Sequence, residues 1–212
     1  MTAAPPFSWD ARYAGEAFLF GEAPNAFLAR QAARLAVGAS ALAVADGEGR
    51  NGVWLAEQGL DVLSLDASAV AQQKAARLAQ QRGVSLRLEL ADLGVWPFPD
   101  AQFDVVAGIF IQFAGPDLRP RIFDGMKRAL KPGGLLLIEG YGPRQLEYRT
   151  GGPSNLENLY TEAMLRDAFS DLEIIELRAY DAVIEEGAGH RGVSALVDLV
   201  ALKSASPGTG ST

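Results

Sequence analysis

Apolar residues fall along this chain in short runs that alternate with stretches of helical spacing. From Ala41 to Ala45 an apolar run enters the Gly-rich segment Asp46 to Gly52, and Val53, Trp54, Leu55 and Ala56 then open a helical pattern, which predicts strand, turn and helix. Asp61 to Leu65 is a second apolar run ending in Asp66, after which Ser68 is placed to cap a helix from Ala69 to Arg82, with Gly83 as its stop. Val84 to Leu90 alternates apolar and polar positions, and Phe103 to Ile111 is almost continuously apolar, as a strand covered on both faces should be. Leu118 to Leu130 is amphipathic with Pro120 in its first turn, and Lys131-Pro132-Gly133-Gly134 separates it from a strand at Leu135 to Glu139. Thr161 can cap a helix to about Phe169, and Leu172 to Leu177 and Val193 to Leu202 form the last two strands, joined as a hairpin.

This alternation predicts an α/β fold: a doubly wound, mostly parallel seven-stranded sheet closed by an antiparallel C-terminal hairpin. Such an open sheet binds its ligand beyond the carboxyl ends of its strands, so the chemistry is expected on the loops at that edge. Residues 1–35 read as a helical extension or lid, with Asn25 as cap for Ala26 to Leu35. Residues 36–203 read as the ligand-binding domain, and 204–212, built only of Ser, Ala, Pro, Gly and Thr, as a disordered tail.

With 212 residues, 49% apolar and 21% charged, the chain can bury a substantial core. Its formal charge of −7 opposes a polyanionic partner and argues against nucleic acid. It contains no cysteine, so neither a disulfide, a thiolate metal site nor a cysteine nucleophile is available. No run of apolar residues long enough for a membrane span or secretion signal occurs, and the cytoplasm is the expected compartment.

Gly47, Gly49 and Gly52 satisfy G-x-G-x-x-G, and Asp66, at the end of the next strand, is spaced to accept hydrogen bonds from ribose hydroxyls. A glycine turn of this kind can also serve packing alone. Asp92, at the end of the third strand, adds an acceptor for an adenine amino group, and the pair describes an adenosine with no partner for a pyrophosphate.

Together with Ala45-Asp46-Gly47-Glu48-Gly49-Arg50-Asn51, Ala91-Asp92-Leu93, Phe103-Asp104-Val105-Val106 and Leu130-Lys131-Pro132-Gly133-Gly134, these features resemble the class I S-adenosylmethionine-dependent methyltransferases over roughly Leu42 to Leu202. Within them, Gly49-Arg50-Asn51 and the short chain look most like the tellurite-resistance and thiopurine methyltransferase branch. The resemblance implies a Rossmann-like fold, S-adenosylmethionine as cofactor, and a site drawn from Arg12, Asp46, Gly47, Gly49, Arg50, Asn51, Asp66, Ala67, Asp92, Leu93 and Ile109. One departure stands out. The acid that commonly opens the family's glycine motif falls at Ala43 and its first glycine at Ala45, leaving either Asp46 or backbone carbonyls to face the cofactor's ammonium group.

Methyl transfer from a sulfonium is an in-line displacement needing neither a metal nor a covalent residue; alignment and exclusion of water carry it. The acceptor is expected to be a small nucleophile such as a thiol or metalloid oxyanion, walled by Gln112, Phe113, Tyr141 and Tyr148, with Trp9, Arg12, Tyr13 and Phe20 closing over it. His190, the only histidine, and Arg191 begin the last strand. If that strand is antiparallel they lie at the site, His190 as base or substrate contact and Arg191 as partner of an oxyanion or of the cofactor carboxylate. A nicotinamide-dependent oxidoreductase using the same turn, and a cofactor-binding module without turnover, are the competing readings.

Overall fold

Seven strands form one sheet in the computed structural model, which describes residues 8–205. They are β1 (Ser40–Ala43), β2 (Asp61–Asp66), β3 (Arg87–Leu90), β4 (Phe103–Ile109), β5 (Leu130–Tyr141), β6 (Glu173–Glu186) and β7 (His190–Leu202), in the order β3-β2-β1-β4-β5-β7-β6. The first five are parallel, while β7 runs antiparallel to β5 and β6 antiparallel to β7. β1 has β2 on one side and β4 on the other, so the winding reverses there and a crevice opens beyond the ends of β1 and β4. The expected fold class is the one observed. Residues 206–212, most of the expected tail, lie outside the described residues.

The helices are α1 (Trp9–Tyr13), α2 (Ala26–Arg30), α3 (Arg50–Glu57), α4 (Ala69–Arg82), α5 (Arg119–Ala129), α6 (Gln145–Tyr148) and α7 (Glu162–Ala168). Their ends follow the capping residues. Asn25, Ser68 and Thr161 accept from the amides of Leu28, Ala71 and Met164 at 2.9, 3.1 and 3.1 Å, and Gly83 closes α4 in the left-handed region. Several boundaries differ from expectation, among them that of β5, which begins at Leu130 rather than Leu135 and takes in Lys131-Pro132-Gly133-Gly134. The helix predicted to run to Leu35 stops at Arg30, because the Gln31 amide donates three residues back to the Leu28 carbonyl and the chain tightens into a 3-10 turn at Ala32–Arg34. The last hairpin extends through Glu186↔His190 rather than stopping near Leu177 and Val193; beyond Leu177 its outer strand is largely solvated and interrupted by the polar residues Arg178 and Asp181.

Alternation along each strand feeds two apolar layers. Leu42, Val106 and Leu136 face Phe123 and Phe169 on one side, and Ala43, Val105 and Leu137 face Phe27, Leu28 and Leu55 on the other. This double burial is why the central strands read as continuous apolar runs. Among the described residues no helix is long and apolar enough to cross a membrane.

Candidate active site

β1 and β4 end side by side, and just beyond each strand the chain passes through a non-glycine residue in the left-handed region, Ala45 at φ 50° and Phe110 at φ 56°. Such a conformation costs on the order of 1–2 kcal/mol and persists only where surrounding structure imposes it. Ala45 stands where the resemblance places the motif's first glycine. The next residue, Asp46, turns its carboxyl inward: it accepts from the Gly52 amide at 3.1 Å and the Ser64 hydroxyl at 2.8 Å. Burial pushes its pKa up to about 7 against the pull of those two partners. Asp46 therefore fastens the start of α3 to β2. Gly49 sits at φ 88°, and a Cβ there would stand 2.5 Å from that of Ala75, so only glycine lets the turn lie against α4.

Asp66 braces the same turn from β2. Its Oδ2 accepts from the Gly47 amide and its Oδ1 from the Ser68 amide, both at 2.8 Å. Burial raises its pKa, opposed by those amides. Each carboxylate oxygen can accept more than one bond, so capacity for further donors remains. Asp92, exposed beyond β3, accepts from the Gly94 amide at 2.8 Å.

The N-terminal segment crosses above these strand ends. Tyr13 is buried, and a Cβ on Gly47 would lie 2.9 Å from its hydroxyl. Glu48, in a variable position of the glycine motif, is buried and accepts from the amides of Leu19 and Phe20 at 2.8 and 3.4 Å. It pairs at 2.7 Å with Lys74, which also donates to the Ala17 carbonyl. Farther along, Arg50 pairs with Glu186 of β6 at 2.6 Å, and Glu186 also accepts from the Asn25 side chain and the Ala26 amide, each at 3.1 Å. Residues 17–26 thus form a strap held at three carboxylates, Glu48, Glu186 and Glu139, the last accepting from the Asn25 side chain at 2.5 Å.

Beneath the strap lies a cavity of about 460 Å³, a volume suited to a small organic ligand. The turn supplies Ala45, Asp46, Gly47, Arg50 and Asn51, and remote elements supply Trp9, Arg12, Phe20, Ile109, Phe110, Gln112, Phe113, Tyr141, Gly152, Pro153, Asn158 and His190. His190 is packed by Phe20, Phe110 and Tyr141, with ring centroids at 4.3, 4.4 and 5.5 Å. Its Nδ1 is buried without a hydrogen-bond partner, 4.0 Å from Glu186 Oε2. Burial, reinforced by the charges of Arg50 and Arg12, brings its pKa down to about 3, so the imidazole is neutral at ordinary pH. Gly152, at φ 80°, lets its loop lie against the Tyr141 ring, where a Cβ would approach to 2.5 Å.

Several expected site residues are brought together and others are not. Arg12, Asp46, Gly47, Arg50, Asn51, Ile109, Phe113, Tyr141 and His190 line the cavity. Gln112 lines it too, but its amide is consumed by the Tyr141 backbone, at 2.6 and 2.8 Å, and by the Asn158 carbonyl at 3.0 Å, so it builds the wall without offering a free group. Gly49, Asp66, Ala67, Asp92 and Leu93 lie off the cavity wall, along the ends of β1 to β3. Arg191 and Tyr148 do not reach the cavity. Successive residues of a strand face opposite ways, so His190 turned inward leaves Arg191 exposed. Tyr148 takes a hydrogen bond from Arg144 at 2.6 Å at the end of α6, whose buried face is Gln145. Glu48, Phe110, Asn158 and Glu186 join the site beyond the residues expected from the sequence. Glu48 sits inside the motif and was legible by position, whereas the others depend on long-range packing.

Residues 41–134 match a family model described as a methyltransferase domain. A search of curated proteins finds no match. Among solved structures, the chain is similar to one solved for the conversion of a disulfide bond into a thioacetal group during echinomycin biosynthesis, with TM-score 0.73, 21% identity, and 95% of this chain and 93% of that one covered. It is also similar to TehB from Haemophilus influenzae, with TM-score 0.70, 18% identity and 92% and 66% covered. A third is the N-methyltransferase NodS from Bradyrhizobium japonicum WM9, with TM-score 0.66, 13% identity and 84% and 92% covered.

Proposed function

We propose that this chain is a class I S-adenosylmethionine-dependent methyltransferase and that it methylates a small nucleophile, a thiol, metalloid oxyanion or similar soft centre, held against the aromatic wall of the cavity. The observation that carries this reading is that the bare main chain of Ala45–Gly47 and the ring wall of Phe20, Phe110, Tyr141 and His190 open into one hollow under the strap. The neighbour named for disulfide-to-thioacetal conversion supports a sulfur acceptor.

The residues present fit the cofactor. Asp66 retains acceptor capacity for ribose hydroxyls, Asp92 stands exposed beside it for an adenine amino group, and Ala67 and Leu93 follow the same strand ends. Arg12 and Arg50 put two cations on the cavity for a carboxylate. Because Asp46 is engaged by Gly52 and Ser64, the ammonium group falls to backbone carbonyls of the turn. When bound, S-adenosylmethionine supplies a methyl group on positively charged sulfur.

The chain's own task is alignment, and a well-positioned pair gains about 7–11 kcal/mol from orientation fixed in advance. The strap would shield an acceptor held against the aromatic faces from water, and those faces suit a cationic methyl donor. A histidine with a pKa near 3 is a poor base at neutral pH, so His190 is assigned a hydrogen bond to the acceptor from a neutral ring. Acceptors that arrive ionised or lose their proton to water suit such a site.

The test is to incubate the full chain with S-adenosylmethionine and a panel of thiols, selenite and tellurite, following S-adenosylhomocysteine, with calorimetry for cofactor binding. Product with at least one acceptor is expected. Tight binding without turnover would move the chain to the non-catalytic reading, and binding of NADH in its place to the oxidoreductase reading.

A further inference from the structure

We propose that Glu186, at the end of β6, is a positioning residue of this cavity, which aims Arg50 and holds the strap closed over the acceptor wall. The proposal rests on the cofactor reading only where it concerns Arg50; the claim about the strap stands without it.

Three donors from two distant parts of the chain converge on this one carboxylate: Arg50 from α3 at 2.6 Å, and the Asn25 side chain and Ala26 amide from the strap at 3.1 Å each. Neither partner of the ion pair is solvated, with side chains 7% and 9% exposed, so the pair is not an incidental surface contact. Arg50 also donates to the Ala23 carbonyl at 3.5 Å, so the cation itself touches the strap. The hairpin tip is seated on the strap by its backbone. A Cβ on Gly187 would come within 2.4 Å of the Gly21 nitrogen, and the Gly189 amide donates to the Leu19 carbonyl at 2.9 Å. That seating registers Glu186 against Asn25.

Cavity residues lie close on either side of this junction. Phe20, on the strap, packs on His190, four residues after Glu186 and 4.0 Å from it through Nδ1. Without the carboxylate, Arg50 would be a buried cation with only a carbonyl to face, and it would leave its place by turning into the cavity or out toward water. One charge therefore sets both the direction of Arg50 and the fit of Phe20 over His190. Of the other carboxylates on the strap, Glu139 accepts from the Asn25 side chain at 2.5 Å, and Glu48 pairs with Lys74, which does not line the cavity.

The experiment measures S-adenosylhomocysteine affinity by calorimetry, and backbone hydrogen exchange in the ligand-free full-length chain. Glu186→Gln is expected to weaken binding about tenfold and to speed exchange at residues 19–26 by about tenfold, with β1, β4 and β5 unchanged. The double variant Arg50→Gln/Glu186→Gln should lose less than the product of the two single losses, because Glu186 acts on the ligand in part through Arg50; independent roles predict losses that multiply. Unchanged affinity and exchange in Glu186→Gln, or multiplying losses, would overturn the proposal. Should Glu186→Gln fail to fold, Glu186→Asp keeps the charge with a shorter reach and must still loosen the strap. If the wild-type chain itself binds no S-adenosylhomocysteine, the cofactor reading fails, and exchange at 19–26 alone decides whether Glu186 holds the strap.

Discussion

The two walls of the cavity are built by different means. The glycine-turn wall is assembled from residues close in sequence, held by carboxylates on backbone amides: Asp46 on Gly52, Asp66 on Gly47 and Ser68. The aromatic wall gathers Phe20, Phe110, Tyr141 and His190 from four separate elements, and its cover is held by buried side-chain ion pairs, Glu48 with Lys74 and Arg50 with Glu186. A wall built from local backbone contacts suits an invariant ligand such as a common cofactor. A wall built from remote rings can change its shape by substituting any one of them, which suits an acceptor that varies among proteins sharing the fold.

The largest effect that separates the walls is expected at the strap. Lys74→Met leaves Glu48 buried with a charge and no cation, which should destabilise the chain by about 3–5 kcal/mol in urea denaturation. A loss below about 1 kcal/mol would mean that the strap is not fastened there in solution. Behind the opposite wall, Asp66→Ala removes the acceptor of two backbone amides and the expected ribose partner, and should weaken S-adenosylhomocysteine binding by about 10- to 100-fold, equivalent to about 1.4–2.7 kcal/mol. Wild-type affinity in that variant would take Asp66 out of the site.

Protonation sharpens the contrast, because the walls carry opposite signs. His190 has a folded pKa of about 3, below its ordinary value near 6.5, so the unfolded chain binds the proton first as pH falls. Stability from this group is present above about pH 6.5 and declines below it, and His190→Phe should make the acid limb shallower by about 1–2 kcal/mol at pH 5. Asp46, raised to about 7, works the other way. Its contribution is full below about pH 3.9 and is lost as pH rises through 7. Thermal melts of His190→Phe and Asp46→Asn across pH 4–8 should therefore diverge from wild type at opposite ends, and parallel curves would contradict both burials. The smallest effect belongs to residues that face away. Arg191→Ala and Tyr148→Phe should leave methyl-transfer kinetics within about twofold of wild type, and a larger drop in either would mean that the acceptor wall extends to it.

Much of this could be read from the chain itself. The caps Asn25, Ser68 and Thr161, the Gly83 stop, the double-faced runs of β4 and β5 and the G-x-G-x-x-G turn with Asp66 are local statements, because a cap, a positive φ or a strand periodicity involves residues a few positions apart. Those residues determined the fold class, the side of the sheet where the cavity lies and the acid beside the glycine turn.

Tertiary structure decided the rest. That Asp46 turns inward rather than toward the crevice depends on Ser64, eighteen residues away. That Gln112 is consumed, that Arg191 faces out while His190 faces in, and that Glu186 meets Arg50 across 136 positions are set by how the hairpin and strap seat on the sheet. A side chain's neighbours across such distances are fixed by packing of the whole molecule, and packing leaves no periodic trace in the order of the residues.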